Sequence, residues 1–165
     1  PPLPMRGFHR LGHAKRFEAA AAVMETHLRP SPEALEDAET DARFAHLQLG
    51  IALRGVGVLG RYEAKTATAL ANGPKGVVRF AVAGEELPRW IDLADPALTS
   101  GLGEPPRPAD ASITFTTAAT AAAAVRDELD AIAAVNAGRI ALHGLVPLAD
   151  HLNHWMEHVS HYLPR

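Results

Sequence analysis

The sequence predicts an α+β domain in which a mainly antiparallel sheet of about five strands is covered on one face by helices. Three observations carry this reading. Residues 13 to 71 place their apolar side chains at helical spacing with few turn residues between them. From residue 77 the spacing changes to the alternation of strands, and after residue 111 strand, helix, strand and helix follow one another. Helices first, then neighbouring strands, then a mixed run is the order of an α+β layer, and all the helices must cover the same apolar side.

The elements follow in chain order. After a Pro-rich lead to Gly12, "AKRFEAAAAVMETHL" sets Phe17, Ala20, Met24 and Leu28 at helical spacing. A second helix is expected from Ser31 as N-cap and Pro32 as first helical residue, with acids in its first turns complementing the positive helix end. In its continuation Leu47, Leu49, Ile51 and Leu53 alternate like a strand, but the Ala-rich remainder favours helix. "VVRFAVAG" then puts Val78, Phe80 and Val82 on one side, and "RWIDLA" does the same with Ile91 and Leu93, as in a hairpin-like pair. The turn-rich segment 96 to 110 holds at most a short edge strand. "ASITFTT" turns Ile113 and Phe115 one way and Ser112, Thr114 and Thr116 the other, which implies a wet face. One helix is expected over 118 to 138, with Val125, Leu129, Ile132 and Val135 inward and Gly138 at its end. "RIALHG" is a strand with Ile140 and Leu142 inward, and the run to Leu163 is a last helix.

Composition narrows the function classes. The 165 residues, 47% of them hydrophobic, suit one domain with a sizeable core. A net charge of −3, with Lys and Arg scattered, leaves no footprint for nucleic acid or an anionic membrane surface. There is no Cys, hence no disulfide framework and no thiol chemistry, which fits the cytoplasm. No apolar stretch is long enough for a membrane span, and the start lacks the apolar centre of a signal peptide, so a soluble protein is expected.

The order "GVVRFAVAG", "RWIDLA", "ADASITFTT", helix, "NAGRIALHG" and C-terminal apolar helix resembles the sterol carrier protein type 2 family over about residues 75–163. One domain is expected, in which 75–163 supply the sheet and C-terminal helices and residues 1–74, longer than the single leading helix the resemblance implies, form an N-terminal helical extension. The resemblance also implies non-catalytic binding of an apolar ligand, such as a fatty acyl chain, sterol or isoprenoid, in a tunnel between sheet and helices. An accessory protein presenting a quinone or lipid precursor to partner enzymes is the alternative. Residues 1–74 would then act as a lid or as the contact with a second copy or a partner enzyme. No cofactor is expected.

A lipid site needs an apolar lining with few polar anchors. The inward positions Phe80, Leu93, Phe115, Leu129, Ile132, Leu142, Leu152, Trp155 and Met156 are the candidates, although the same residues would equally fill a close-packed core.

Two motifs match catalytic signatures in their letters. "HWMEH" at 154–158 has the H-x-x-E-H spacing of inverted zinc metalloproteases. At about 100° per residue, however, His151, His154, His158 and His161 form one stripe about 80° wide, with Glu157 about 60° away from it. Only seven residues follow His158, so the third ligand that a protease needs downstream has little chain to come from. The stripe is read as the edge of an amphipathic helix, with metal binding or pH sensing as lesser readings. "GVGVLG", with Gly55, Gly57 and Gly60, is a literal G-x-G-x-x-G, but nothing around it resembles a parallel dinucleotide-binding unit, so close helix packing is the expected role. No G-x-S-x-G elbow or other nucleophile grouping is present, and the chain reads as a non-enzyme.

Overall fold

The computed structural model describes residues 33–84, 87–125 and 128–160. The expected first helix, with Phe17, Met24 and Leu28, and the caps Ser31 and Pro32 lie outside these residues, as does His161. A short 3-10 turn at Glu33–Glu36 leads into α1, Ala38–Tyr62. Asp37 caps α1 by accepting from Thr40 N at 2.8 Å, so the α-helix starts later than the Ser31 signal implies. The alternating leucines of this stretch are helical: Leu49, Leu53 and Val56 are buried at spacings of four and three.

The helical run breaks at Glu63, whose extended backbone ends α1 and starts α2, Ala64–Asn72. In an unbroken helix Gly60 and Leu70 would stand about 15 Å apart. Here Leu70 Cδ1 lies 3.0 Å from where a Cβ on Gly60 would be, so the break folds α2 back onto the groove in α1.

Five strands follow: β1 Val77–Val82, β2 Arg89–Asp92, β3 Ser100–Leu102, β4 Ala111–Phe115 and β5 Ile140–Gly144. Their order in the sheet is β3-β2-β1-β4-β5. Three of the pairings are antiparallel, and β1 with β4 is parallel, so the sheet is mixed rather than a simple meander. Asp110 sets the parallel pair: its carboxylate accepts from Val77 N at 2.8 Å and its own N–H donates to Val77 O at 2.8 Å.

Where one helix was expected over 118 to 138, there are two, α3 Ala118–Val125 and α4 Ala131–Asn136. Asp130 caps α4 by accepting from Ala133 N at 2.9 Å, and this restart resets the helical phase. Ala134 is therefore the buried residue, while Ile132 is 76% exposed and Val135 is also exposed. The inward positions expected for those two are corrected accordingly. The last helix, α5, runs over Val146–Ser160 and buries Leu148, Leu152 and Val159.

α1, α3 and α5 lie against the face of the sheet that carries Val78, Phe80, Val82 and Phe115. On the other face Arg79 forms a two-pronged ion pair with Glu104, and the Trp90 ring lies across Gly101 of the next strand. This agrees with the wet face expected from the hydroxyl alternation. The glycines of "GVGVLG" all lie within α1, so they form no phosphate loop. A Cβ on Gly57 would meet Leu98 O at 3.0 Å and one on Gly60 would meet Leu98 Cδ1 at 2.3 Å. The glycines are the groove that receives Leu98. No helix among the described residues is long and apolar enough to cross a membrane.

Candidate functional site

A cleft opens between the sheet and two helices. α1 supplies Ala42, Ala45, His46 and Leu49, which its periodicity of three and four gathers on one face. β1 adds Phe80 and Val82, β4 adds Phe115, and α3 adds Ala118, Ala121 and Val125. Val82 and Phe115 are register partners, so their side chains stand together on the sheet's inner face. The free volume is about 10 Å³, room for a single water molecule.

Two polar side chains enter this apolar wall, His46 and Arg89. Arg89 sits opposite Phe80 across the antiparallel β1–β2 pair, which turns both side chains toward the helices. Its guanidinium lies against Gly50 of α1, where a Cβ would come within 2.6 Å of Nη1. The Nε is buried and has no acceptor among the described residues. Burial, with a smaller contribution from the charge of Arg54, holds the Arg89 pKa below the ordinary arginine value.

Of the apolar residues singled out from sequence, Phe80 and Phe115 reach the cleft. Leu93 and Leu152 are part of the closed core. Leu129, Leu142, Trp155 and Met156 are partly buried and pack against that core without lining the cleft. Ile132 is on the surface. The cleft residues that sequence reasoning missed are those of α1, Arg89 and the alanines of α3. For α1, "DARFAHLQLG" does carry the signal, since 42, 45, 46 and 49 share a helical face, but the alternation of Leu47, Leu49, Ile51 and Leu53 obscures it.

The histidines of α5 gather around one indole. Trp155 meets His151, His154 and His158 edge-on, with ring centroids 6.0, 5.1 and 5.8 Å away. Trp155 Nε1 donates to His151 Nε2 at 3.2 Å. Burial, and then the charges of His154 and Lys75, push the His151 pKa down, with Asp150 acting against them. His158 Nε2 lies 3.3 Å from Glu63 Oε2, and Glu157 accepts from Asn153. Within "HWMEH", His158 and Glu157 thus turn to different polar partners, Glu63 and Asn153. Among the described residues no three His, Asp or Glu side chains converge as a metal ion would need.

No protein-family model matches the chain, and no curated protein matches it. Solved structures do. A crystal structure of sterol carrier protein 2 matches with a TM-score of 0.50 and 18% identity, covering 72% of this chain and 96% of its own. The UbiJ-SCP2 ubiquinone synthesis protein matches at 0.43 with 14% identity, covering 99% of this chain and all of its own. The inverting sec-alkylsulfatase Pisa1 from Pseudomonas sp. matches at 0.40 with 17% identity, and there this chain spans only 12% of the enzyme's length and 48% of its own. The chain has the sterol carrier protein 2 fold, as the order of its strands and last helices implied.

Proposed function

We propose that the protein binds an apolar small molecule between its sheet and its helices and does no chemistry on it. One observation carries this reading: the cleft between β1, β4, α1 and α3 is walled by Phe80, Phe115 and Leu49 on two sides and by alanines on the third. Ligand sites of drug or lipid size occupy hundreds of cubic ångströms, so the present 10 Å³ must widen to admit one. α3 is the element suited to yield. Its sequence, AATAAAAV, buries only small side chains, and apolar burial scales with area, so moving it costs less than moving a helix anchored by leucines. The shared fold with sterol carrier protein 2 supports the same reading.

Part of the stretch named from sequence as a lid or partner surface also borders this site. Residues 38–62 supply the cleft's longest wall and part of the core, through Ala45, Leu49, Leu53 and Val56.

Native mass spectrometry of gently purified protein is expected to show a co-purifying apolar molecule, which organic extraction then identifies. Replacing Ala118 at the half-buried rim with Leu should fill the cleft and abolish uptake of a fluorescent long-chain probe. Uptake undiminished by Ala118→Leu, or no uptake by the unaltered protein, would overturn the reading.

A further inference from the structure

His46, Gly50 and Arg54 follow one another at intervals of four along α1, and therefore form one stripe on its surface. At the centre of that stripe Gly50 has no side chain, and the Arg89 guanidinium occupies the space, with Nη1 and Cζ 2.6 and 2.9 Å from an ideal Cβ position. The aliphatic stem and Nε of Arg89 stand beside Phe80 in the cleft wall, and that Nε is buried without an acceptor among the described residues. A buried guanidinium donor without an acceptor forfeits a charge-assisted hydrogen bond. Among the described residues the neighbouring charge that bears on it is a like charge, Arg54, rather than a neutralising acid. Two other arginines, Arg79 of β1 and Arg107 of the loop before β4, are matched: Arg79 has Glu104, and Arg107 has Asp92 and Asp110.

Resting on the function proposed above, we infer that Arg89, cradled by Gly50 and flanked by Arg54 and His46, is an anion anchor at the cleft, and that the ligand is a chain molecule with an anionic head. A carboxylate or a phosphate monoester supplies the acceptor oxygens that a guanidinium takes in pairs. A neutral sterol or alcohol supplies only one weak acceptor and leaves the charge uncompensated. The anchor thus sorts amphiphiles by head group, while Phe80, Phe115 and Leu49 receive the chain.

The test is calorimetric titration of the full 165-residue chain at neutral pH with three ligands that share one alkyl chain: dodecanoate, dodecyl phosphate and dodecan-1-ol. Both anions are expected to bind about tenfold or more tightly than the alcohol, the size of a hydrogen bond to a charged group. The tighter of the two identifies the head. Arg89→Gln should bring the anion-to-alcohol ratio close to one while leaving alcohol binding within about twofold, and Arg89→Lys should restore part of the preference. Gly50→Ala, which keeps every charge but displaces the guanidinium, should also reduce the ratio. Should Arg89→Gln fail to fold by circular dichroism, the exposed Arg54→Gln and Gly50→Ala carry the test, and an unchanged ratio in both overturns the anchor. Equal binding of acid and alcohol, or a preference that survives Arg89→Gln, overturns the anchor and leaves the apolar site standing. Binding of none of the three overturns both.

Discussion

Gly55 of α1 and Val159 of α5 pack so closely that a Cβ on the glycine would sit 2.5 Å from Val159 Cγ1 and 3.0 Å from Cγ2. Val159 is itself buried and β-branched, so it has little rotamer freedom with which to move aside. Gly55→Ala gains about 1 kcal/mol of helix propensity, whereas overpacking a close-packed contact costs about 1–3 kcal/mol. The clash is expected to win. A lower thermal midpoint for Gly55→Ala, restored in the double variant Gly55→Ala with Val159→Ala, would bear this out, whereas a higher midpoint in the single variant would show that α1 and α5 can part freely.

Two glycines frame β5 and separate strain from crowding. At Gly144 φ is +83°, and a Cβ would lie 2.1 Å from the carbonyl oxygen of Asp110, which is backbone and is held by Leu145 N at 2.8 Å. Gly138 has φ of +68° with nothing near its Cβ position. Gly138→Ala should cost about 1–2 kcal/mol, the left-handed penalty alone. Gly144→Ala should cost clearly more, about 3 kcal/mol or above, because the β4–β5 edge must shift as well. Urea titrations of the two variants check the order, and equal costs would contradict it.

Acid should weaken the turn after β2. Arg107 grips Asp92 with Nε to Oδ2 at 3.0 Å and Nη2 to Oδ1 at 2.8 Å, while Asp92 also accepts from Ala94 and Asp95 N–H. Chiefly through the Arg107 bonds, against a smaller cost of burial, the Asp92 carboxyl is held below the usual carboxylate value. A depressed carboxylate favours the folded state above its unfolded pKa of 3.8, and that contribution is lost as pH falls through the lower, folded value. Asp92→Asn is therefore expected to lower the midpoint at neutral pH and to flatten the loss of stability below about pH 4. A thermal melt series across that range shows it, and parallel curves for the two proteins would refute it.

His151 should give a second, milder pH limb. Its folded pKa lies below the ordinary 6.5, mainly because it is desolvated, so the unfolded chain takes up the proton first. Stability is full above 6.5 and declines as pH falls from there toward the folded value. Protonation also removes the acceptor that Trp155 Nε1 uses at 3.2 Å. In a folded protein whose other tryptophan, Trp90, is replaced by Phe, Trp155 emission should change as pH falls through the folded value of His151, below 6.5, and the change should be smaller in His151→Phe. Emission that stays constant from pH 7 down to the onset of acid unfolding in the single-tryptophan protein would sink the prediction.

Much of the fold could be read before any coordinates. Val78, Phe80 and Val82 alternate because a pleated strand forces them to, and Ile91, Phe115 and Ile140 are inward for the same reason. The phase errors occur where a single capping residue outweighs a long periodic run. Asp130 restarts the helix and exchanges Ile132 for Ala134 as the buried residue. Glu63 breaks a run whose composition is helical throughout, and Thr66 Oγ1 donates to its carboxylate at 2.5 Å across the break. The cleft was less legible: the inward placement of Phe80 and Phe115 follows from strand alternation, but the α1 wall and Arg89 were not read, because a charged residue at a strand start ordinarily faces water.

The sequence by itself determined the class of the fold, the sheet's apolar and wet faces and the final amphipathic helix, since each depends on spacing along one chain segment. For "GVGVLG" it favoured helix packing over phosphate binding, and the structure places all three glycines within α1. Tertiary structure alone decided which inward residues meet in a cleft and which close the core, that Leu98 and Val159 dock on those glycines, and that Arg89 reaches Gly50. These are meetings between residues about 40 to 100 positions apart, set by the strand order β3-β2-β1-β4-β5 and by helix crossings. Local periodicity holds no information about such distances.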